Sequence, residues 1–467
     1  MDVELMEHQR EGVAFLIKGR QGLLAFEQGL GKTLVAIDAF RQLLEQGGAD
    51  RMLVICPNSL KRNWVAEIEK FAPGIAVEIA EGTPKERRRT FTNSTAAVVV
   101  TSYETARVEV TAVLSLVDRS RTVLVLDESH AAKNWQSLTS TSMRHFSPRC
   151  EYRWLLSGTP VTNTPADLHT QIEIIAPGEH ALGSLESFLA RAEEDPSAAF
   201  AKPVLDRLVL RRTKEECLDL PDKMFTDVVV ELPSWQRRLY NEMRTQMVCS
   251  IEGMSGDEYR AFASTALAQL TRLSQLASNP GLLFPDSAQT PAKFEVLDGL
   301  VSDILSVPGR KIIIWSTYVR NIEALVARFA QYGAVAIYGG IETGERQDVA
   351  AAFQGDPNTR VLIANPAAAG TGFTLTAASF TIYESMSWRY DHYAQSQDRN
   401  HRIGQQQAVS YLRLIASDTI DEAVAGALER KSGMARSLLS DPQAQHLLSQ
   451  LSPQQMCSLI ASNELPE

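Results

Sequence analysis

A chain of 467 residues is longer than one hydrophobic core accommodates, so two domains are expected. Hydrophobic content of 44% and charged content of 22% are those of a soluble globular protein, and no apolar run approaches the ~18 residues of a membrane span. The formal net charge of −10 excludes a uniformly basic chain, but net charge describes the far field and leaves room for a local basic groove.

The N-terminus, Met1-Asp2-Val3-Glu4, lacks the basic and apolar regions of a secretory signal. Cys56, Cys150, Cys217, Cys249 and Cys457 are widely spaced, without a Cys-x-x-Cys pair. That pattern reads as reduced thiols in a cytoplasm, with neither a zinc site nor a disulfide framework. Basic clusters occur at Lys61-Arg62, at Lys85 with Arg87 to Arg89, at Arg207 with Arg211, Arg212 and Lys214, and at Arg237-Arg238. Each taken alone reads as solvated surface.

Met6 to Arg10 open an amphipathic helix that runs through Val13, Leu16 and Ile17. Gln9 on this helix either presents its amide to an adenine edge or is an ordinary surface glutamine. Leu23 to Phe26 read as a buried strand, and Glu27-Gln28-Gly29-Leu30-Gly31-Lys32-Thr33 follow. Ile37, Phe40 and Leu44 then recur at helical spacing, and Gly47-Gly48 close the helix. Strand, glycine loop and helix are the setting of a phosphate-binding loop. Inward-turned amides and the helix N-terminus would face the phosphates. Lys32 would reach the β- and γ-phosphates, and the Thr33 hydroxyl would ligate Mg²⁺. The strict pattern wants glycine where Phe26 stands. On these residues alone, a glycine-rich turn capping a helix fits as well.

Met52 to Cys56 form a second strand, ended by Pro57-Asn58. Ser59 to Trp64 lead into a helix through Ile68 and Phe71. Ala97 to Val100 form a third strand, ended by Thr101-Ser102-Tyr103-Glu104. Val123 to Leu126 form a fourth and deliver Asp127-Glu128-Ser129-His130. Paired acids at the end of a buried strand are costly without work or partners. Asp127 suits metal coordination, and Glu128 suits orienting and deprotonating an attacking water. A fifth strand, Arg153 to Leu156, ends in Ser157-Gly158-Thr159-Pro160.

This succession resembles the first lobe of a superfamily-two helicase-like ATPase, and more narrowly the Swi/Snf-type DNA-dependent ATPases. The family's glycine-loop pattern is met by Phe26 to Thr33, its DEAH box by Asp127 to His130, and its serine-glycine-threonine-proline motif by Ser157 to Pro160. Downstream, Leu210 to Lys223 resemble the segment that leaves this lobe. An extended run, Asp227 to Leu232, and a short helical block follow. A second strand–helix alternation is carried by Lys311 to Trp315, Val335 to Tyr338, Val361 to Ala364 and Phe380 to Tyr383, implying another parallel sheet. Ala369 to Thr376 are similar to the family's glycine-rich loop, and Gln395 to Gln405 match its glutamine-rich arginine motif nearly residue for residue. Departures are the Phe26-Glu27-Gln28 lead-in, serine in the acid box, and Trp388-Arg389-Tyr390 where tryptophan-asparagine-proline is usual.

The resemblance implies an α/β fold of two RecA-like parallel-sheet lobes in tandem with a short helical insertion. The expected division is 1–220 for lobe 1, 221–290 for the helical insertion, 291–440 for lobe 2 and 441–467 for a tail. It implies ATP as substrate with Mg²⁺, bound by Gln9, Gly29, Gly31, Lys32, Thr33 and Asp127. Glu128, Gln395, Arg399 and Arg402 are the implied catalytic residues, and Ser157 and Thr159 the coupling residues. Double-stranded DNA is the implied partner, with backbone contacts at Ser59, Trp64, Thr101, Ser102, Thr374 and Trp388. The expected activity is ATP hydrolysis coupled to translocation on duplex DNA, in a minimal bacterial or viral form with no membrane association. Two other readings are a strand-separating DNA or RNA helicase and a nucleotide-gated DNA-binding scaffold with little turnover. Intact Glu128, Arg399 and Arg402 argue against the scaffold.

Overall fold

The computed structural model describes residues 4–158, 165–178, 181–195, 199–286, 289–369, 373–435 and 452–462. The chain forms two compact units, the first holding Met1–Asp219 and the second Leu220–Gly433. Each is a parallel α/β lobe with its own sheet.

The first sheet has seven strands: β1 (Gln21–Phe26), β2 (Arg51–Cys56), β3 (Val77–Ile79), β4 (Val98–Ser102), β5 (Thr122–Asp127), β6 (Tyr152–Leu156) and β7 (Val209–Arg212). Their order is β3-β4-β2-β5-β6-β1-β7, all parallel. Helices cover both faces, which is why the strands are almost unbroken apolar runs. Along β2, Leu53 and Ile55 enter the core on one face, and Met52, Val54 and Cys56 the core on the other. Burying each such side chain contributes roughly 1.5–3 kcal/mol.

This strand order positions the site. β6 lies between β5 and β1, with Leu156 in register with both Asp127 and Leu24. Parallel pairing places the three carboxyl ends side by side, where open α/β sheets bind ligands. Three helices frame this edge: α1 (Glu7–Gly19), α2 (Lys32–Glu45) and α3 (Lys61–Phe71).

The second sheet joins β8 (Lys223–Val230), β9 (Ile312–Trp315), β10 (Ala334–Ile337), β11 (Val361–Ala364), β12 (Phe380–Tyr383) and β13 (Val409–Ala416) in the order β10-β11-β9-β12-β13-β8. The extended run expected at Asp227 to Leu232 is β8, and it pairs with β13 over its whole length. The helices Ser234–Glu252 and Gly256–Ser278 follow it. Pro453–Ser462 is a helix whose Met456, Leu459 and Ile460 are fully buried in the core of this lobe. No helix among the described residues is long and apolar enough to cross a membrane.

Candidate nucleotide site and arginine motif

The glycine loop is shaped by two residues with positive φ, Gly29 (90°) and Gly31 (83°). A side chain at either would be strained. At Gly31 a Cβ would also lie 2.5 Å from Gln9 Nε2. Phe26 takes the place of the expected glycine without loss of the loop. Its ring is fully buried beneath the loop, and its main-chain oxygen accepts a 2.8 Å hydrogen bond from Lys32 Nζ. The Glu27 carbonyl accepts a second from the same ammonium at 3.5 Å.

Helix α1 holds the loop from behind. Gln9 Nε2 donates to the Leu30 carbonyl at 3.2 Å, and His8 Nε2 lies 3.0 Å from the same oxygen. Gln9 Oε1 accepts from the Met6 amide at 3.0 Å, capping the helix that carries it. The Gln9 amide therefore organises the loop; one N–H and one lone pair remain for a ligand.

The acid box ends β5. Asp127 is buried, and each carboxylate oxygen has a protein donor: Trp64 Nε1 to Oδ2 at 2.8 Å and the Glu128 amide to Oδ1 at 3.0 Å. Tyr103 donates its hydroxyl to the Asp127 main-chain oxygen at 2.9 Å. Burial, then the charge of neighbouring Glu128, pushes the Asp127 carboxyl up to about 6, against the opposing pull of Trp64 and Lys32. Glu128 sits in the left-handed region, φ 48° and ψ 54°. That conformation is costly for a residue with a side chain, and such strain gathers at functional sites. Its Oε2 lies 3.4 Å from His130 Nδ1. Ser129, the departure within the acid box, donates to Gln171 Oε1 at 2.6 Å and ties the box to helix Pro165–Ile175.

Ser157 is fully buried at the end of β6. A Cβ at Gly158 would lie 3.0 Å from Gln28 Cγ and 3.6 Å from Lys32 Nζ, so this strand end abuts the glycine loop. Thr159 lies outside the described residues. Loop, acids and strand end thus meet at one edge of one sheet. Among the described residues no three His, Cys, Asp or Glu side chains converge as a self-sufficient metal cage. The donors present are the half-buried Thr33 hydroxyl and an Asp127 carboxylate with lone pairs to spare. Magnesium keeps several waters and leans on substrate phosphates, so this donor set fits it.

In the second lobe, Arg399 Nη1 and Arg402 Nη1 both donate to the Phe373 carbonyl, at 3.4 and 3.3 Å. Arg399 Nε donates to the Gln395 carbonyl at 3.1 Å, and the Leu375 amide to the Arg399 carbonyl at 2.8 Å. Gln405 Nε2 locks the following turn through the carbonyls of Thr376, Ala378 and Asn400. The arginine motif and the chain from Phe373 to Ala378 are one hydrogen-bonded piece. Residues 370–372 of the glycine-rich loop lie outside the described set.

The expected DNA contacts need correction. Trp64 and Thr101 have no exposed surface, so neither reaches a duplex in this structure. Ser102 is 3% exposed and its hydroxyl caps helix Tyr103–Val108; Trp388 is 6% exposed. Ser59 is half-buried and Thr374 exposed, so both are open to a ligand. Sequence reading misses Tyr103, His8 and Gln171. Only Tyr103 carries a signal, as a large residue directly after a strand end.

Comparison with known proteins gives two family matches: a SNF2-related domain over residues 8–282 and a helicase conserved C-terminal domain over 292–404. The chain is 30% identical over 451 residues to an uncharacterized ATP-dependent helicase of Mycoplasma pneumoniae, covering 94% of this chain and 42% of that one. It is 28% identical over 470 residues to the human DNA annealing helicase and endonuclease ZRANB3, covering 94% and 40%. The chain therefore spans about two fifths of the length of these relatives. A solved Sulfolobus solfataricus SWI2/SNF2 ATPase core in complex with dsDNA aligns at 24% identity with a TM-score of 0.45, covering 100% of this chain and 98% of that one.

Proposed function

The chain belongs to the SNF2-related family, and from that premise we propose that it hydrolyses ATP in response to double-stranded DNA and uses the cycle to move along the duplex. The observation that carries this reading is the meeting of Lys32, Asp127, Glu128 and the Ser157 strand end at one sheet edge. In it the amides of Gly29 and Gly31 and the N-terminus of α2 cradle the phosphates, Lys32 faces them, and Gln9 reads the adenine. Thr33 and Asp127 would hold Mg²⁺, which would supply charge neutralisation at the phosphates. Glu128 orients and deprotonates the attacking water.

Arg399 and Arg402, with Gln395, are the second-lobe groups assigned to the transferring phosphoryl. An arginine brought to that group is worth ~10³–10⁵ in rate. Turnover should then depend on what brings it there, and DNA is the proposed agent. Ser157 and Thr159 couple the two events. Ser59 and Thr374 are the remaining candidates for sugar-phosphate contact, a kind of contact that positions without reading sequence.

The test is ATP turnover with and without duplex DNA. Turnover should rise on adding duplex and vanish in Lys32→Ala at every DNA concentration. Near-parental turnover in that variant would remove the phosphate-loop assignment.

A further inference from the structure

We propose that Trp64 is a positioning residue for the metal site: its indole N–H aims the Asp127 carboxylate at the metal–phosphate group. The inference rests on the nucleotide site proposed above. Its basis is local geometry. Trp64 lies in the first turn of α3, has no exposed surface, and places Nε1 2.8 Å from Asp127 Oδ2. Indole is a donor only, so facing a carboxylate it can direct charge but cannot accept a proton or a ligand. Its two fused rings belong to the buried core that also holds Val54, Cys56, Ile68 and Val100.

The other Asp127 oxygen is held by the Glu128 amide, which belongs to the acid box itself. Trp64 is thus the side chain that ties the carboxylate to a different element. Tyr103 repeats the arrangement from helix Tyr103–Val108, donating to the Asp127 carbonyl while only 4% exposed. α3 and that helix each begin just beyond a strand's carboxyl end, at β2 and β4. A carboxylate free to rotate would meet the metal in several poses. One held by a charge-assisted hydrogen bond meets it in one. Partners that orient metal-binding groups in this way typically change metal affinity ~10–100-fold when removed.

Two variants separate the hydrogen bond from the packing. Trp64→Phe removes the N–H and part of the ring. Site-specific replacement of the Trp64 indole by benzothiophene keeps the bicyclic shape and removes only the donor. Two binding constants are measured on the full chain. Mn²⁺ is titrated by electron paramagnetic resonance in the presence of a non-hydrolysable ATP analogue. A fluorescent ATP analogue is titrated in EDTA. In both variants Mn²⁺ affinity should fall about tenfold or more while metal-free nucleotide affinity stays within about twofold.

Unchanged Mn²⁺ affinity in the benzothiophene protein would overturn the proposal and leave Trp64 as packing alone. Equal losses of metal and metal-free nucleotide affinity in that protein would overturn it too, since the defect would then lie in the phosphate loop. If the parent protein bound neither Mn²⁺ nor the analogue, the nucleotide site itself would fall, and this inference with it.

Discussion

Asp127 shows at the residue scale what the site costs. Its folded value of about 6 lies above the ordinary 3.8, so the fold prefers the protonated form. Keeping the buried group ionised at neutral pH therefore costs the lobe stability. The sign follows: lowering pH through 6 toward 4 removes the penalty and stabilises the lobe. Asp127→Asn removes the charge but sets an amide NH2 against one of the two N–H donors, so it should abolish hydrolysis and be more stable relative to the parent at about pH 8 than at about pH 4. Urea unfolding of variant and parent at the two pH values checks this; a stability difference that does not shift in the variant's favour at the higher pH would contradict it. Glu128→Gln keeps size and hydrogen bonding but removes the base. It should bind ATP as the parent does and turn over ~10²–10⁴-fold more slowly, read by single-turnover hydrolysis beside equilibrium binding. Gly31→Ala meets both the left-handed backbone and the 2.5 Å approach of Gln9 Nε2. It should weaken nucleotide binding while leaving the far edge of the sheet intact, measurable by amide exchange.

At the scale of elements, a buried ion pair joins Lys293 to Asp421. The Lys293 ammonium is fully buried at the start of helix Ala292–Leu305, 2.5 Å from Asp421 Oδ2 on helix Ile420–Ala435, and it also donates to the Glu384 carbonyl. Removing one member strands a buried charge and should cost about 3–5 kcal/mol. Asp421→Leu should thus unfold the second lobe in less denaturant, and Lys293→Met added to it should restore most of the loss. Additive losses in the double variant would contradict the pairing. Elements also mark how much of the fold and site is legible in sequence. The glycine loop, acid box and arginine motif are short contiguous patterns, and each is followed or preceded by the strand or helix its chemistry needs. Trp64 reads as a DNA contact in sequence, whereas its buried indole N–H is bonded to Asp127, 63 residues away, which no local pattern reveals. β8 reads as part of a connector because its partner β13 lies about 180 residues on. The helix Pro453–Ser462 falls in the segment read only as a tail, although Met456, Leu459 and Ile460 carry the i, i+3, i+4 spacing of a buried face.

For the whole molecule, the net charge of −10 sets a long-range field that repels DNA, so contacts must come from local groups on each lobe. Backbone binding releases counterions and weakens steeply with salt. DNA-stimulated turnover should fall as salt rises, while turnover without DNA changes little. A flat salt response would argue against a phosphate-backbone interface. In the second lobe, the described strands between Lys311 and Gln405 all lie within one parallel sheet. On the proposed reading the ATP cycle moves the protein along a duplex that stays paired. The most direct test is therefore ATP-driven displacement of a third strand from a DNA triplex, run beside a forked duplex of the same length. The third strand should be released and the fork stay paired, with Lys32→Ala inactive on both. Efficient fork unwinding without triplex displacement, stimulated by single strands alone, would contradict translocation along a paired duplex.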